Sequence, residues 1–78
     1  MDIKKAASKT AALIPTCYDL PVTDDEYGKD HLFEMVEKIT TGEITGEKAH
    51  RWLGWVQACV CIGSDASLDD LKKINFES

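Results

Sequence analysis

The stretch from Thr45 to Gly63 constrains the fold most, because its apolar residues recur with helical spacing and become nearly continuous toward its end. One face of the predicted helix carries Ala49, Trp52, Leu53, Val56, Cys59 and Val60. From Val56 to Ile62 most residues outside that face are apolar as well, and a helix that is apolar all round is buried on more than one side. In a chain of 78 residues, this pattern predicts a helical core and a contact between subunits.

The amino-terminal segment predicts a short amphipathic helix over residues 3 to 14. Its apolar stripe consists of Ile3, Ala6, Ala7, Thr10, Leu13 and Ile14. Pro15 is expected to end the helix, because the residue before a proline avoids the helical region of backbone space. Residues 15 to 23 then predict an extended connector in which Tyr18 or Leu20 packs against the core.

A second helix is predicted from about residue 24 to residue 40, with an apolar stripe of Leu32, Met35, Val36 and Ile39. Thr23 and Glu26 have the spacing of a capping box at its start. Gly28 is a weak point in this pattern, because glycine disfavours helix interiors, and it would move the start toward Asp30.

Glycines and capping residues give the remaining boundaries. Thr41 and Gly42 are expected to stop the second helix and Gly63 the third, since glycine is favoured just beyond helix ends. Ser67 and Asp70 form another capping box ahead of a short fourth helix. The stripe of this last helix is Leu68, Leu71 and Ile74.

No segment shows a sustained strand-like alternation of polar and apolar residues, so the sequence predicts an all-α fold. We expect a small bundle of three helices plus a short fourth carboxyl-terminal helix, assembled as a homo-oligomer. The length allows a single domain. Residues 1 to 22 would supply the amino-terminal helix and connector, and residues 23 to 75 the helical core.

Composition excludes several function classes. The chain carries 9 basic and 14 acidic residues, for a formal net charge of −5, whereas binding to a nucleic-acid backbone needs a basic surface. No apolar run approaches the roughly 20 residues that span a bilayer. The apolar run Ala11 to Ile14 is too short for a signal-peptide core. These features predict a cytoplasmic protein without a membrane partner, and they disfavour nucleic acid as a partner.

The cysteines do not indicate a disulfide framework or a metal centre. Cys17, Cys59 and Cys61 are odd in number, which favours reduced thiols in a reducing compartment. Cys59 and Cys61 lack the two-residue spacing of zinc sites, and His31 and His50 fall on different predicted helices. We therefore expect no metal and no cofactor.

The most informative stretch is Glu47 to Gln57, which holds both tryptophans and the only arginine of the chain. One hypothesis makes it a binding patch for a phosphate-bearing small molecule, formed by Lys48, His50, Arg51, Trp55 and Gln57. The basic side chains would hold phosphate, Trp55 would stack on a base, and Gln57 would contact polar edges. A structural alternative pairs Arg51 with Trp55 in a cation–π contact and makes Gly54 a helix-crossing point. A third makes the patch a protein-binding hot spot.

Other functions have weaker support. Nine acidic residues lie between residues 19 and 47. They are typical of a solvent-exposed face. The alternative is that they mimic nucleic acid and so bind a basic host protein. His50 with Cys59 or Cys61 is the only candidate catalytic couple, and an orienting third group is lacking, so we expect no enzyme. The link from Thr41 to Thr45 could belong to a DNA-binding helix-turn-helix, but the following helix is mostly apolar.

Two segments, Thr45 to Gln57 and Ser67 to Asn75, resemble a family of small proteins encoded by tailed bacteriophages, most specifically in Arg51-Trp52-Leu53-Gly54. The resemblance covers residues from about 30 to 75. It implies a genomic setting rather than a mechanism. By analogy, small phage accessory proteins often bind host components, including defence proteins and the nucleotide signals that defences make.

These observations predict a non-enzymatic phage accessory protein that counters host defence by sequestering a nucleotide-type signal at an inter-subunit pocket. An inhibitor that binds a host protein through its acidic second helix or through Trp55 is the first alternative. A small DNA-binding regulator is the second.

Overall fold

The computed structural model describes residues 2–18 and 28–78. These residues form four α-helices: α1 (Ile3–Ala11), α2 (Lys29–Thr40), α3 (Gly46–Gly63) and α4 (Leu68–Glu77). A short 3₁₀ turn, Ile14–Thr16, follows α1. The described ranges contain no strand, so the predicted all-α fold of three helices plus a short fourth is confirmed.

Helix α1 ends earlier than predicted. Asp2 caps its start, with the carboxylate accepting from the backbone N–H groups of Lys4 and Lys5 at 3.1 and 3.2 Å. The predicted end at residue 14 is wrong, because the helix stops at Ala11. A proline ring clashes with the carbonyl four residues before it in a continuing α-helix. For Pro15 that carbonyl belongs to Ala11, so the chain turns into the 3₁₀ geometry instead.

Helix α2 begins later than predicted. Gly28 is extended, with φ −74° and ψ 150°, and it is the N-cap of a helix that starts at Lys29. The predicted start near residue 24 is therefore wrong, and the alternative start toward Asp30, which Gly28 indicated, is confirmed to within one residue. The predicted capping box of Thr23 and Glu26 lies outside the described residues. The predicted stop is confirmed, because Gly42 adopts φ +83° just beyond the helix.

The predicted bounds of α3 and the predicted capping box of α4 are both confirmed. Helix α3 has Thr45 as its N-cap and ends at Gly63. At the start of α4 the Ser67 hydroxyl accepts from the Asp70 N–H at 3.1 Å, and the Asp70 carboxylate accepts from the Ser67 N–H at 2.9 Å. The hydrogen bond from the Ser67 backbone N–H, followed by an interaction with the Ser67 side chain, lowers the pKa of the Asp70 carboxyl.

One core joins α1, α2 and α3, with Leu71 of α4 buried beside it. Its fully buried members include Ala6, Ile14, Leu32, Ile39, Val56 and Val60. Helix α1 packs on its own chain, mainly against α2. The predicted apolar stripe of α4 is confirmed at Leu71, which is buried, but is wrong at Leu68, which is 63% exposed. Leu68 is the first residue of α4 and lies about one turn before the buried Leu71.

The connector after α1 places Cys17 in the core, and its next residue, Tyr18, is fastened to the end of α3. The Tyr18 N–H donates to the Gly63 carbonyl at 2.9 Å, and the Tyr18 hydroxyl donates to Asp65 Oδ1 at 3.0 Å. Tyr18 itself is 73% exposed, so the predicted packing of Tyr18 against the core is wrong. Leu20 lies outside the described residues.

Candidate functional site

A groove between α2 and α3 collects the aromatic and basic residues that the sequence singled out. We call it the α2–α3 groove. Its volume is about 300 Å³, and it is lined by His31, Met35, Arg51, Trp52 and Trp55. His31 and Met35 lie one turn apart on α2, and Arg51 and Trp55 lie one turn apart on α3, so packing of the two helices makes the groove.

Trp52 lines this groove, and the ammonium groups of two lysines lie over its ring. Lys38 Nζ lies 5.9 Å and Lys48 Nζ 5.4 Å from the ring centroid, both within the range of a cation–π contact. Lys38 also pairs with Glu34 at 3.2 Å along α2. The cation–π contacts of Lys38 and Lys48 thus both fall on Trp52.

The charge of the groove is opposite to that of the chain. The net charge of the chain is −5, yet none of the five lining residues is acidic and one is arginine. Lys48 adds a second cation at the border through its contact with Trp52. A small basic, aromatic surface on an acidic protein is chemically suited to an anion that bears a flat ring.

Gln57 lies away from this groove, between α1 and α4. Its amide nitrogen donates to Thr10 Oγ1 at 3.2 Å and to Asn75 Oδ1 at 2.8 Å. The Asn75 amide donates back to Gln57 Oε1 at 3.1 Å. With 9% of its surface exposed, Gln57 is a structural link among three helices in this chain.

The structure therefore separates the five predicted site residues. Lys48, Arg51 and Trp55 lie on the α2 side of α3, at or beside the groove. Gln57 is buried in its network. His50 is exposed one turn before Gly54, and Gly54 belongs to the surface that faces α4.

Sequence reasoning did not place His31 in the site. It weighed His31 only as a metal ligand, because the pairing of α2 with α3 is not visible in a linear pattern. The available signal was its position one turn before Met35, at the edge of the apolar stripe of α2. A polar residue at the edge of a buried stripe borders the neighbouring helix.

A second groove, between α3 and α4, is larger and mostly apolar. We call it the α3–α4 groove. Its volume is about 530 Å³, and its lining includes Gly54, Ala58, Ile62, Leu68, Leu71 and Lys72. Lys72 is the only charged residue among the described residues of the lining, so this surface suits an apolar partner better than a phosphate.

No family model, no curated protein and no solved structure matches this chain. Within residues 2–18 and 28–78, no three His, Cys, Asp or Glu side chains are grouped to hold a metal ion. No described helix is long and apolar enough to cross a membrane.

The cysteines show no disulfide in the described part of the chain. Cys17 and Cys59 are buried, and Cys61 is partly exposed in the α3–α4 groove. Burial raises the pKa of the Cys17 thiol, and a hydrogen bond with Ser64 and the charge of Lys29 partly offset this rise. A buried thiol with a raised pKa is a poor nucleophile.

Proposed function

We propose that this chain binds a phosphate-bearing small molecule of nucleotide type in the α2–α3 groove and acts by sequestering it. The observation that carries the proposal is the meeting of Arg51 with two indole rings in a groove whose described lining residues include no carboxylate. The net charge of the chain is −5, so a lining that carries Arg51 and, among the described residues, no carboxylate is a suitable place for an anion.

Each lining residue has a distinct role in the proposal. The Arg51 guanidinium can donate two parallel hydrogen bonds to a phosphate, which is the geometry that arginine favours. Trp55 lines the groove and is 36% exposed, so its indole can contact a nucleobase there. His31 borders the same space and supplies a further donor to the phosphate.

The proposed activity is binding without turnover. Among the described residues, the lining of the α2–α3 groove includes no serine, cysteine or carboxylate that could act as a nucleophile with His31 as a base. A protein with such a site lowers the free concentration of its ligand without changing it. The setting, counter-defence in an infected bacterium, comes from the resemblance to phage proteins alone.

The size of the groove favours an assembled site. About 300 Å³ is at the lower end of the range for small-molecule pockets, roughly 300–1,000 Å³. A base and one phosphate would fill it, and the rest of a larger nucleotide would extend beyond it. We therefore infer that a second copy of the chain covers the exposed side of the ligand in a homo-oligomer.

The experiment is calorimetric titration of the intact protein with a panel of adenine and guanine nucleotides, linear and cyclic, and with inorganic phosphate. The Arg51→Ala variant should weaken nucleotide binding at least tenfold, because a hydrogen bond to a charged group contributes about 1.5–3 kcal/mol and about 1.4 kcal/mol is tenfold. Lys5→Ala removes an exposed positive charge from α1 and is the matched control.

Three results would refute the proposal. The first is that no nucleotide of the panel binds. The second is that Lys5→Ala weakens binding as much as Arg51→Ala. The third is capture of a host protein that is lost when Glu34 and Glu37 are changed to lysine, which would favour the inhibitor function instead.

A further inference from the structure

Two cations and two indole rings share one face of α3 at the α2–α3 groove. Lys48, Arg51, Trp52 and Trp55 are separated by three or four residues, the spacings that bring side chains together on a helix. Arg51, Trp52 and Trp55 line the groove, and Lys48 Nζ lies 5.4 Å from the centroid of the Trp52 ring. The groove therefore has one cation in its lining, Arg51, and a second at its border, Lys48.

Neither Arg51 nor Lys48 is paired with a carboxylate among the described residues. The ion pairs in residues 2–18 and 28–78 are Lys38–Glu34 and Lys73–Glu77. Glu47 precedes Arg51 by four residues, a spacing that favours an ion pair on a helix, yet these two side chains do not pair. Arg51 instead lines the groove, so its charge is available to an anion there.

The two lysines at Trp52 differ in how their charges are balanced. Lys38 Nζ lies 5.9 Å from the centroid of the ring, but it also pairs with Glu34 at 3.2 Å. Lys48 contacts the same ring and has no such carboxylate in the described part of the chain. A cation–π contact attracts an ammonium group without neutralising its charge. Lys48 is therefore the cation at the border that an anion would neutralise.

Position along α3 gives these side chains an order. Trp55, Arg51 and Lys48 follow one another toward the amino terminus of the helix, in steps of roughly 6 and 4.5 Å along its axis at about 1.5 Å per residue. A ligand with its base at Trp55 and its first phosphate at Arg51 reaches Lys48 at the next step. The same direction leads to the positive end of the helix dipole. Negative charge added to the ligand there is therefore favoured.

We propose that the α2–α3 groove selects nucleotides with two adjoining phosphates, and that Lys48 holds the second phosphate. This selection rests on the proposed function, to which it adds the class of ligand. A monophosphate would contact Trp55 and Arg51 and leave Lys48 without an anion. Because a base and one phosphate fill the groove, the second phosphate of a diphosphate would lie at the border, beside Lys48.

The test is calorimetric titration of the intact protein with matched pairs of nucleotides, without divalent cations that would shield the phosphates. The pairs are adenosine monophosphate with adenosine diphosphate, and guanosine monophosphate with guanosine diphosphate. In at least one pair, we expect the parent to bind the diphosphate about tenfold more tightly, because one hydrogen bond to a charged group corresponds to about that change in affinity. Lys48→Gln should bring this ratio close to one by weakening the diphosphate.

Three further variants separate the role of Lys48 from that of overall charge. Lys48→Arg keeps a cation with N–H donors and should keep the preference for the diphosphate. Lys5→Gln removes the same charge from an exposed position on α1 and should keep it as well. Arg51→Ala should weaken the monophosphate and the diphosphate alike, by about tenfold. Lys48 and Lys5 are both exposed, so the helical circular dichroism of their variants should match that of the parent.

The outcomes distinguish this selection from the nucleotide site itself. If the parent binds both members of each pair equally and Arg51→Ala weakens both, the site stands and the selection by Lys48 is overturned. A preference for the diphosphate that persists in Lys48→Gln, or that is lost equally in Lys5→Gln, would overturn the selection as well. If the parent binds no nucleotide, the proposed function fails and the selection fails with it.

Discussion

The Gln57–Asn75 pair offers the sharpest test of how the helices are held together. Gln57→Ala removes three hydrogen bonds, of 3.2, 2.8 and 3.1 Å, that join α3 to α1 and α4. Each such bond contributes about 0.5–1.5 kcal/mol net. The lost side chain also leaves space beside Thr10, which is fully buried. We expect the free energy of unfolding to fall by about 2–4 kcal/mol.

That loss is large for a chain of this size. At about 0.05–0.15 kcal/mol per residue, 78 residues give a total stability of roughly 4–12 kcal/mol. Asn75→Ala removes two of the same bonds and should cost about 1–3 kcal/mol. Because both variants break the reciprocal amide pair, the double variant should cost less than the sum of the single costs by about 1–2 kcal/mol.

Urea unfolding of the four proteins, followed by far-ultraviolet circular dichroism, measures this coupling. With a slope near 1 kcal/mol per molar urea for a small domain, the expected changes move the midpoint by more than 1 M. If the cost of the double variant equals the sum of the two single costs to within about 0.5 kcal/mol, the reasoning is refuted, because additive costs are the behaviour of independent sites. A Gln57→Ala variant as stable as the parent would refute it as well.

Further predictions concern local features of the helices. Gly54→Ala should raise the stability of the isolated chain by about 1 kcal/mol in urea unfolding, because alanine is the better helix former and no described atom obstructs the new methyl group; a lower midpoint would contradict this. Ser67→Ala should cost about 1 kcal/mol through loss of the cap of α4. The pKa of Asp70 is lowered in the folded state. The ionised carboxylate therefore stabilises the fold fully above the unfolded pKa, near 3.9, and this stabilisation is lost as the pH falls through the folded pKa. Thermal unfolding should therefore show a steeper acid loss for the parent than for Asp70→Asn, and equal losses would contradict this. Iodoacetamide should modify Cys61 before the buried Cys17, as peptide mass spectrometry would show; the reverse order would contradict the structure.

The helices that sequence reasoning placed best are those whose signals are local. The capping box of Ser67 and Asp70 forms between residues three apart, so its spacing alone indicates the start of α4. Gly42 stops α2 through its own positive φ. The errors arose where one residue acts at a distance along the chain, as when Pro15 ended α1 at Ala11.

The candidate site was predictable only in part, because it depends on which helices pack together. Arg51 and Trp55 were found from their residue types and spacing on one helix. His31 joins them only through the packing of α2 against α3, which no local pattern encodes. Gln57 was assigned to a ligand because its partners Thr10 and Asn75 are 47 and 18 residues away.

Native mass spectrometry tests the central claim most directly. The protein would be recovered without denaturation from phage-infected cells that produce it, alongside Arg51→Gln. We predict an oligomer of the parent that carries an added mass in the range of a nucleotide, and an oligomer of Arg51→Gln without it. An added mass retained by Arg51→Gln, or a parent bound to a single host protein instead, would contradict the account.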